Sequence, residues 1–273
     1  MKDADCVEFL QWLLPKLQMR WPGFRKVRRQ VCKRVDRRLV ELGLPDVAAY
    51  QEWIVLHPEE LKILDGFCRI TISRFYRDRG VCDHLRHEIL PELAENARAN
   101  GQHELWCWCA GCASGEEPYT VNVIWKRAVS PKVPGVTLKI IATDSDSQML
   151  ERASRGCYAR SSLKDFPSEW LAGCFGAVDN EYSVRMEYRL GIEWCRQDIR
   201  EEMPDGVFDL ILCRHLAFTY FDKALQVKTL DAIVSRLRPS GVLVIGKQEP
   251  RPTSVPRLVE CKPRTGIFRK LDC

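Results

Sequence analysis

The sequence predicts an α/β protein in which a largely parallel sheet ends in an antiparallel hairpin and follows an all-helical N-terminal domain. Three observations predict it. Residues 1–99 carry helical periodicity only. From residue 104 short apolar runs alternate with helical patterns, as strands do when helices cross over between them. The last stretch differs again: Val259-Glu260-Cys261 and Ile267-Phe268-Arg269 flank a polar turn containing Gly266.

Bulk properties agree with such a chain. Its 273 residues suit one large or two modest domains, and 45% hydrophobic residues supply a core. No apolar run approaches the roughly 18–20 residues of a membrane span. The acidic start, Met1 to Asp5, is unlike a signal peptide. The thirteen cysteines are scattered, several inside apolar runs, so reduced buried thiols and a cytoplasmic location are expected.

Within the helical part, Val7, Leu10, Trp12, Leu13 and Leu14 cluster before a break at Trp21-Pro22-Gly23. A helix over 24–43 follows, with Phe24, Val27, Val31, Val35, Leu39 and Leu42 on one face and Gly43 as its C-cap. Its other face is basic: Arg25, Lys26, Arg28, Arg29, Lys33, Arg34, Arg37 and Arg38. A solvated helix surface explains such a face, and so does docking of an acidic protein helix. Aromatic rings are not interleaved with the charges, which argues against nucleic acid. Further helical patterns cover 47–56, 58–67 and 81–99. The polar and aromatic segment Thr71-Ile72-Ser73-Arg74-Phe75-Tyr76-Arg77-Asp78 joins the two parts, so the domains are drawn at 1–78 and 79–273.

In the second part, strand-like runs fall at Glu104–Cys109, Val136–Ala142, Gly206–Cys213 and Gly241–Gly246, with helical patterns between them. The pattern is interrupted over 156–194, where Tyr182–Met186 and Tyr188–Trp194 suggest a small extra sheet. A parallel sheet with a terminal hairpin is typical of the class I (Rossmann-like) methyltransferase fold.

The stretch Trp106-Cys107-Trp108-Cys109-Ala110-Gly111-Cys112-Ala113-Ser114-Gly115-Glu116-Glu117-Pro118-Tyr119-Thr120 reads as strand, glycine loop and helix start, with Pro118 as a first helical residue. Such a turn cradles a polar ligand group. Two carboxylates at the helix start favour hydroxyls or an ammonium over a phosphate. The next run ends in Asp144-Ser145-Asp146. Asp144 is placed for ribose hydroxyls, and Asp146 for capping the following helix. Cys107, Cys109 and Cys112 lack a partner motif at zinc spacing, so no metal is expected. Trp106, Trp108, Trp125 and Trp194 read as core or pocket wall.

These motifs together resemble the CheR-type chemotaxis receptor methyltransferases, which methylate receptor glutamates with S-adenosylmethionine. The resemblance spans nearly the whole chain. It rests on Gly111 to Thr120, Thr71 to Arg77, Ala142 to Asp146, and Cys213-Arg214-His215 through Tyr220-Phe221. It implies that Gly111 and Glu117 face the cofactor, and that Asp144 holds the ribose. Asp198 and Ile199 bracket the adenine. Thr71, Ser73 and Arg77 reach the cofactor tail or the incoming carboxylate, while Arg214, His215 and Tyr220 line the transfer site. The basic helix, through Arg25, Arg28, Arg29, Lys33 and Arg37, docks an acidic receptor helix, and the 156–194 insert is the family's small β-subdomain. The product is S-adenosylhomocysteine, the partner a chemoreceptor cytoplasmic domain, and the enzyme a monomer that neither binds nucleic acid nor inserts in membranes.

Four positions depart from the family's pattern: Thr71 and His215 replace Asn, Ser73 replaces Thr, and Asp198 replaces Asn. Ser73 keeps a hydroxyl and Asp198 keeps an acceptor. His215 brings a ring that titrates near neutral pH, expected to be neutral beside a sulfonium. A glutamate carboxylate needs no base, only alignment and desolvation; Arg77 would hold it and Tyr220 orient it. An amine or hydroxyl acceptor would instead use His215 as base. Methylation of a peptide or small molecule, or a cofactor-binding sensor without transfer, are the alternative readings.

Overall fold

A computed structural model describes residues 2–250 and 257–271. The chain forms two compact units, Met1–Thr71 with Ala217–Gln226, and Ile72–Leu216 with Val227–Cys273.

In the first unit, helices Asp3–Leu13, Trp21–Phe24, Arg28–Leu42, Val47–Leu56 and Glu60–Phe67 enclose Phe9, Leu10, Leu13, Val31, Val35, Tyr50 and Leu64. The basic helix begins at Arg28 and ends at Gly43, whose φ of 67° closes it in the left-handed conformation. Asp46 caps the next helix by accepting from Ala49 N at 2.9 Å. The expected break at Trp21-Pro22-Gly23 is instead one helical turn with Pro22 near its start, where its missing N–H costs nothing. A Cβ on Gly23 would overlap the carbonyl of Thr219, against which the turn packs. Met19 bridges Phe221, and Arg20 donates to the carbonyls of Phe218 at 2.6 Å and Thr219 at 3.0 Å. One expectation fails here. Cys6 and Cys32 are joined in a disulfide, because the facing sides of the first and basic helices place their Cα atoms 6.0 Å apart. Cys82, Cys107, Cys109 and Cys112 are buried thiols outside any disulfide, as expected.

The second unit is built on strands β1 (Glu104–Ala110), β2 (Thr137–Asp144), β3 (Cys157–Ala159), β4 (Phe175–Val178), β5 (Glu181–Val184), β6 (Ile192–Arg196), β7 (Phe208–Leu212), β8 (Leu237–Val244), β9 (Leu258–Glu260) and β10 (Ile267–Lys270). Seven of them form one sheet in the order β6-β2-β1-β7-β8-β10-β9. Its first five strands are parallel, and β10 and β9 close it antiparallel, so the class I methyltransferase fold is established by topology. Buried on both faces, β7 reads as a continuous apolar run. The insert differs from expectation. The small sheet is β3-β5-β4, while Ile192–Arg196 leaves it at Gly191 (φ 87°) to pair with β2 in the main sheet, Trp194 opposite Ala142.

Candidate active site

The order 2-1-7 at the centre of the sheet brings the carboxyl ends of β1, β2 and β7 side by side, the position where open α/β sheets bind ligands. The glycine loop after β1 is tied to β2. Gly111 N and Cys112 N donate to Thr143 O at 2.8 and 3.0 Å, and Ala113 N donates to Asp144 Oδ2 at 2.8 Å. Asp144 Oδ1 accepts from Asp146 N at 2.9 Å. Asp146 caps the helix at Ser147, accepting from Gln148 N at 2.9 Å. Asp144 therefore shapes the loop through both carboxylate oxygens.

Both loop glycines adopt positive φ. At Gly111 a Cβ would meet Leu216 Cδ2 at 2.5 Å; at Gly115 it would meet Ala153 Cβ at 2.8 Å and Trp194 at 2.9 Å. Gly115 is thus required by packing from beneath the loop. Gly115 caps a helix that starts at Glu116, so Pro118 sits two residues inside it, still among the N–H positions without intrahelical acceptors.

The wall of the site is an ion-pair network around Arg214, whose side chain is only 5% exposed. Its Nη1 donates to Glu117 Oε2 at 2.7 Å, and its Nη2 to Asp78 Oδ2 at 2.7 Å and Arg77 O at 3.0 Å. Burial opposes the guanidinium charge, yet Glu117 and Asp78 outweigh it and raise the Arg214 pKa. His215 Nε2 lies 3.0 Å from the same Asp78 oxygen. That contact, with Arg214, holds the Asp78 carboxyl well below the usual carboxylate range despite its burial. Tyr76, Asp78, Ala113 and His215 all have positive φ, a concentration of strained backbone typical of functional sites. Glu249 Oε2 secures the turn by accepting from His215 N at 3.0 Å and from Gly246 N at 2.5 Å.

Arg77 differs from Arg214. Its Nη1 donates to Ile72 O at 2.6 Å, and no carboxylate lies within ion-pair distance among the described residues. Burial pushes its pKa down, with Asp78 opposing and Arg214 and Arg74 adding to the fall. Ser73 lies partly buried in the same segment.

At the edge near β6, Ile199 is buried, and the Asp198 carboxylate is bound by its neighbour Arg200 through Nε at 2.9 Å and Nη2 at 2.7 Å. Gln197 Oε1 and Arg214 Nε are buried without a hydrogen-bond partner. Unmet buried acceptors and donors are costly unless a ligand satisfies them. Two strand-end carboxylates, a glycine loop and these unmet groups suit a polar nucleoside, and S-adenosylmethionine fits. Cys107 and Cys109, on one face of β1, are buried in the core.

Thr71 and Tyr220 belong to the first unit. Thr71 is exposed at its end, and the Tyr220 ring packs 4.9 Å from that of Phe24. The basic helix divides its charges. Arg28 pairs with Asp3 at 2.9 Å, Arg34 donates to Phe67 O and Arg69 O, and Arg38 pairs with the buried Glu60 at 2.7 Å. Arg25, Arg29, Lys33 and Arg37 are exposed at four-residue intervals.

A family model, CheR methyltransferase, SAM binding domain, matches residues 71–265. The chain belongs to the CheR methyltransferase family. It is an S-adenosylmethionine-dependent methyltransferase. A chemotaxis protein methyltransferase of Listeria innocua is 31% identical over 190 residues, covering 68% of this chain and 69% of that protein. The "Uncharacterized 104.1 kDa protein in hypE 3'region" of Rhodobacter capsulatus is 30% identical over 219 residues; this chain spans 23% of its length. The solved N-methyltransferase NodS from Bradyrhizobium japonicum WM9 superposes with a TM-score of 0.38 at 15% identity, over 71% of this chain and 99% of that one.

Sequence reasoning passed over Asp78, Gln197 and Glu249 as site residues of this CheR-family chain. Asp78 stood in the quoted joining segment, beside Arg77. Gln197 and Glu249 act through burial and turn geometry, which no periodicity reveals.

Proposed function

We propose that the chain transfers the methyl group of S-adenosylmethionine to glutamate carboxylates on an acidic helical protein, such as a chemoreceptor cytoplasmic domain. The observation that carries this reading is Arg77, a desolvated guanidinium without a carboxylate partner among the described residues. Arg214, by contrast, pairs its two terminal nitrogens with Glu117 and Asp78. A partly desolvated cation with no carboxylate in ion-pair contact favours an arriving anion.

The cofactor supplies an electrophilic methyl group. Asp144 would hold its ribose, Ile199 and Gln197 its adenine, and Glu117 its polar end. Arg77 would grip the acceptor carboxylate, already a nucleophile at neutral pH, and strip water from it. Arg25, just before the basic helix, and Arg29, Lys33 and Arg37 on it form the docking face; the three on the helix rise about 6 Å from one to the next, close to one turn of a partner helix. Arg28 is tied to Asp3 and contributes less.

The test offers methyl-labelled S-adenosylmethionine with an acidic helical receptor peptide, and then exposes labelled peptide to alkali. Label released as methanol marks a carboxyl ester. Arg77→Met should raise KM for the peptide at least tenfold while the cofactor Kd changes little. Unlabelled peptide, or an unchanged KM, defeats the reading; a cofactor Kd that rises instead reassigns Arg77 to the cofactor's own carboxylate.

A further inference from the structure

We propose that His215, held by Asp78, accepts a proton from the nucleophile, so that this site also methylates a neutral hydroxyl, and a phenolic one most readily. The inference rests on the methyltransferase activity and is independent of the glutamate reading.

Asp78 fixes the tautomer. Its carboxyl is ionised because Arg214 donates to it at 2.7 Å, so it can only accept from His215 Nε2 at 3.0 Å. Nε2 therefore carries a hydrogen, and in the neutral ring Nδ1 carries the lone pair. A carboxylate that orients an imidazole through one nitrogen leaves the other as a base. The Nδ1–Cε1 edge lies over Gly246, just past the carboxyl end of β8. A Cβ there would stand 2.8 Å from Nδ1, so only glycine lets the ring pack in this position. The side chain remains 23% exposed.

The charges around the ring suit a cation formed there. Asp78 faces Nε2 from the 72–78 segment, and Glu249 Oε2, 2.8 Å from the same Cβ position, faces it from the turn after β8. Arg214, next in the chain, spends its charge on Glu117 and Asp78. An imidazolium there is balanced by Asp78 at Nε2, with Glu249 bound to the backbone N–H of the same residue.

A carboxylate acceptor has no proton to give, so this base is idle for it. An amine arrives as an ammonium and would add a cation beside the sulfonium and Arg77. A hydroxyl arrives neutral. As its oxygen bonds to the methyl carbon, the C–S bond breaks with its electron pair left on sulfur, and the O–H proton passes to Nδ1. The imidazolium then returns that proton to water. A phenol, with a pKa near 10, gives up its proton more readily than an aliphatic alcohol.

The experiment compares two acidic helical peptides identical except for Glu or Tyr at the central position, each with labelled cofactor and the full chain. The Tyr peptide should take alkali-stable label. His215→Asn and His215→Gln should each lower the rate of labelling at least about a hundredfold. Independently of activity, ¹⁵N spectra of the imidazole should show Nε2–H in the neutral ring, and Asp78→Asn should redistribute the tautomers. An unlabelled Tyr peptide, label that survives both His215 variants, or an Nδ1–H ring overturns the proposal. Label on the Tyr peptide without ester on the Glu peptide upholds it and sinks the glutamate reading alone; the reverse result does the opposite.

Discussion

Replacing Arg214 by Met tests whether the site is held together by one buried cation. Met fills similar volume, so the cavity term is small. The change strands Glu117 and Asp78, which lose ion pairs of 2.7 Å each and then face one another. Breaking a buried pair by removing one partner costs about 3–5 kcal/mol. Here Glu117 and Asp78 keep 17% and 28% exposure and His215 still holds Asp78, so the lower end, about 3 kcal/mol, applies. For a unit of 150–250 residues that corresponds to a Tm lowered by roughly 6–12 °C at pH 7. The sign of the pH effect follows from Asp78, whose folded pKa is depressed. In the parent protein it contributes stability that is full above about pH 4, its unfolded value, and lost as pH falls toward the folded one. In Arg214→Met that pKa rises, the carboxyls protonate earlier, and the gap to the parent closes on acidification. Calorimetry of both proteins between pH 7 and pH 4 reads this directly. The double variant Arg214→Met/Glu117→Gln should recover part of the loss at pH 7. A pH-independent gap, or one below about 1 kcal/mol, refutes the reasoning.

Gly246→Ala should displace the His215 ring, since its Cβ would stand 2.8 Å from Nδ1, Cε1 and Glu249 Oε2; the imidazole ¹⁵N shifts should move while cofactor Kd holds, and unchanged shifts would count against the described packing. Reversing Arg25, Arg29, Lys33 and Arg37 to Glu should raise KM for an acidic helix strongly at low salt and less at high salt. Reversing Arg34, which is tied to Phe67 O and Arg69 O, should act through stability instead. A KM insensitive to the four reversals would remove the docking face.

Much of this fold was legible because period changes mark it: helical to residue 99, alternating afterwards, with a hairpin last. Asp146 was readable as a cap, and its neighbour Asp144 as a strand-end carboxylate. The failures have physical reasons. Local alternation draws Trp194 into the small sheet because it cannot say which partner a strand takes; parallel pairing with β2 is a non-local choice. Cys6 and Cys32 are 26 residues apart and meet only when two helices pack. Five site cations looked equivalent along the basic helix, whereas Asp3 engages Arg28 from a different helix. Asp78 is not evident from the sequence, since a left-handed backbone at a non-glycine residue is only weakly signalled by the enrichment of Asp there.

Tyr158 carries the last consequence. It lies on the small sheet, fully buried, and its hydroxyl donates to Ser114 O in the glycine loop at 2.6 Å. Its ring meets Phe75 edge-on at 4.8 Å, and Phe75 also meets Phe175 at 5.1 Å and donates its N–H to Ser162 O at 3.0 Å. One side chain thus touches both the cofactor loop and the segment that bears Arg77. Tyr158→Phe keeps the ring and strands the Ser114 carbonyl, costing about 1–3 kcal/mol, part of which should appear as weaker cofactor binding. Phe75→Leu keeps the hydroxyl contact and loosens the Arg77 segment, so it should raise acceptor KM more than cofactor Kd. If the small sheet couples the two sides, the double variant should depart from additivity by at least about 0.5 kcal/mol in cofactor binding measured calorimetrically. Strictly additive losses would mean that the loop and the segment are held independently, and that the shared ring is packing alone.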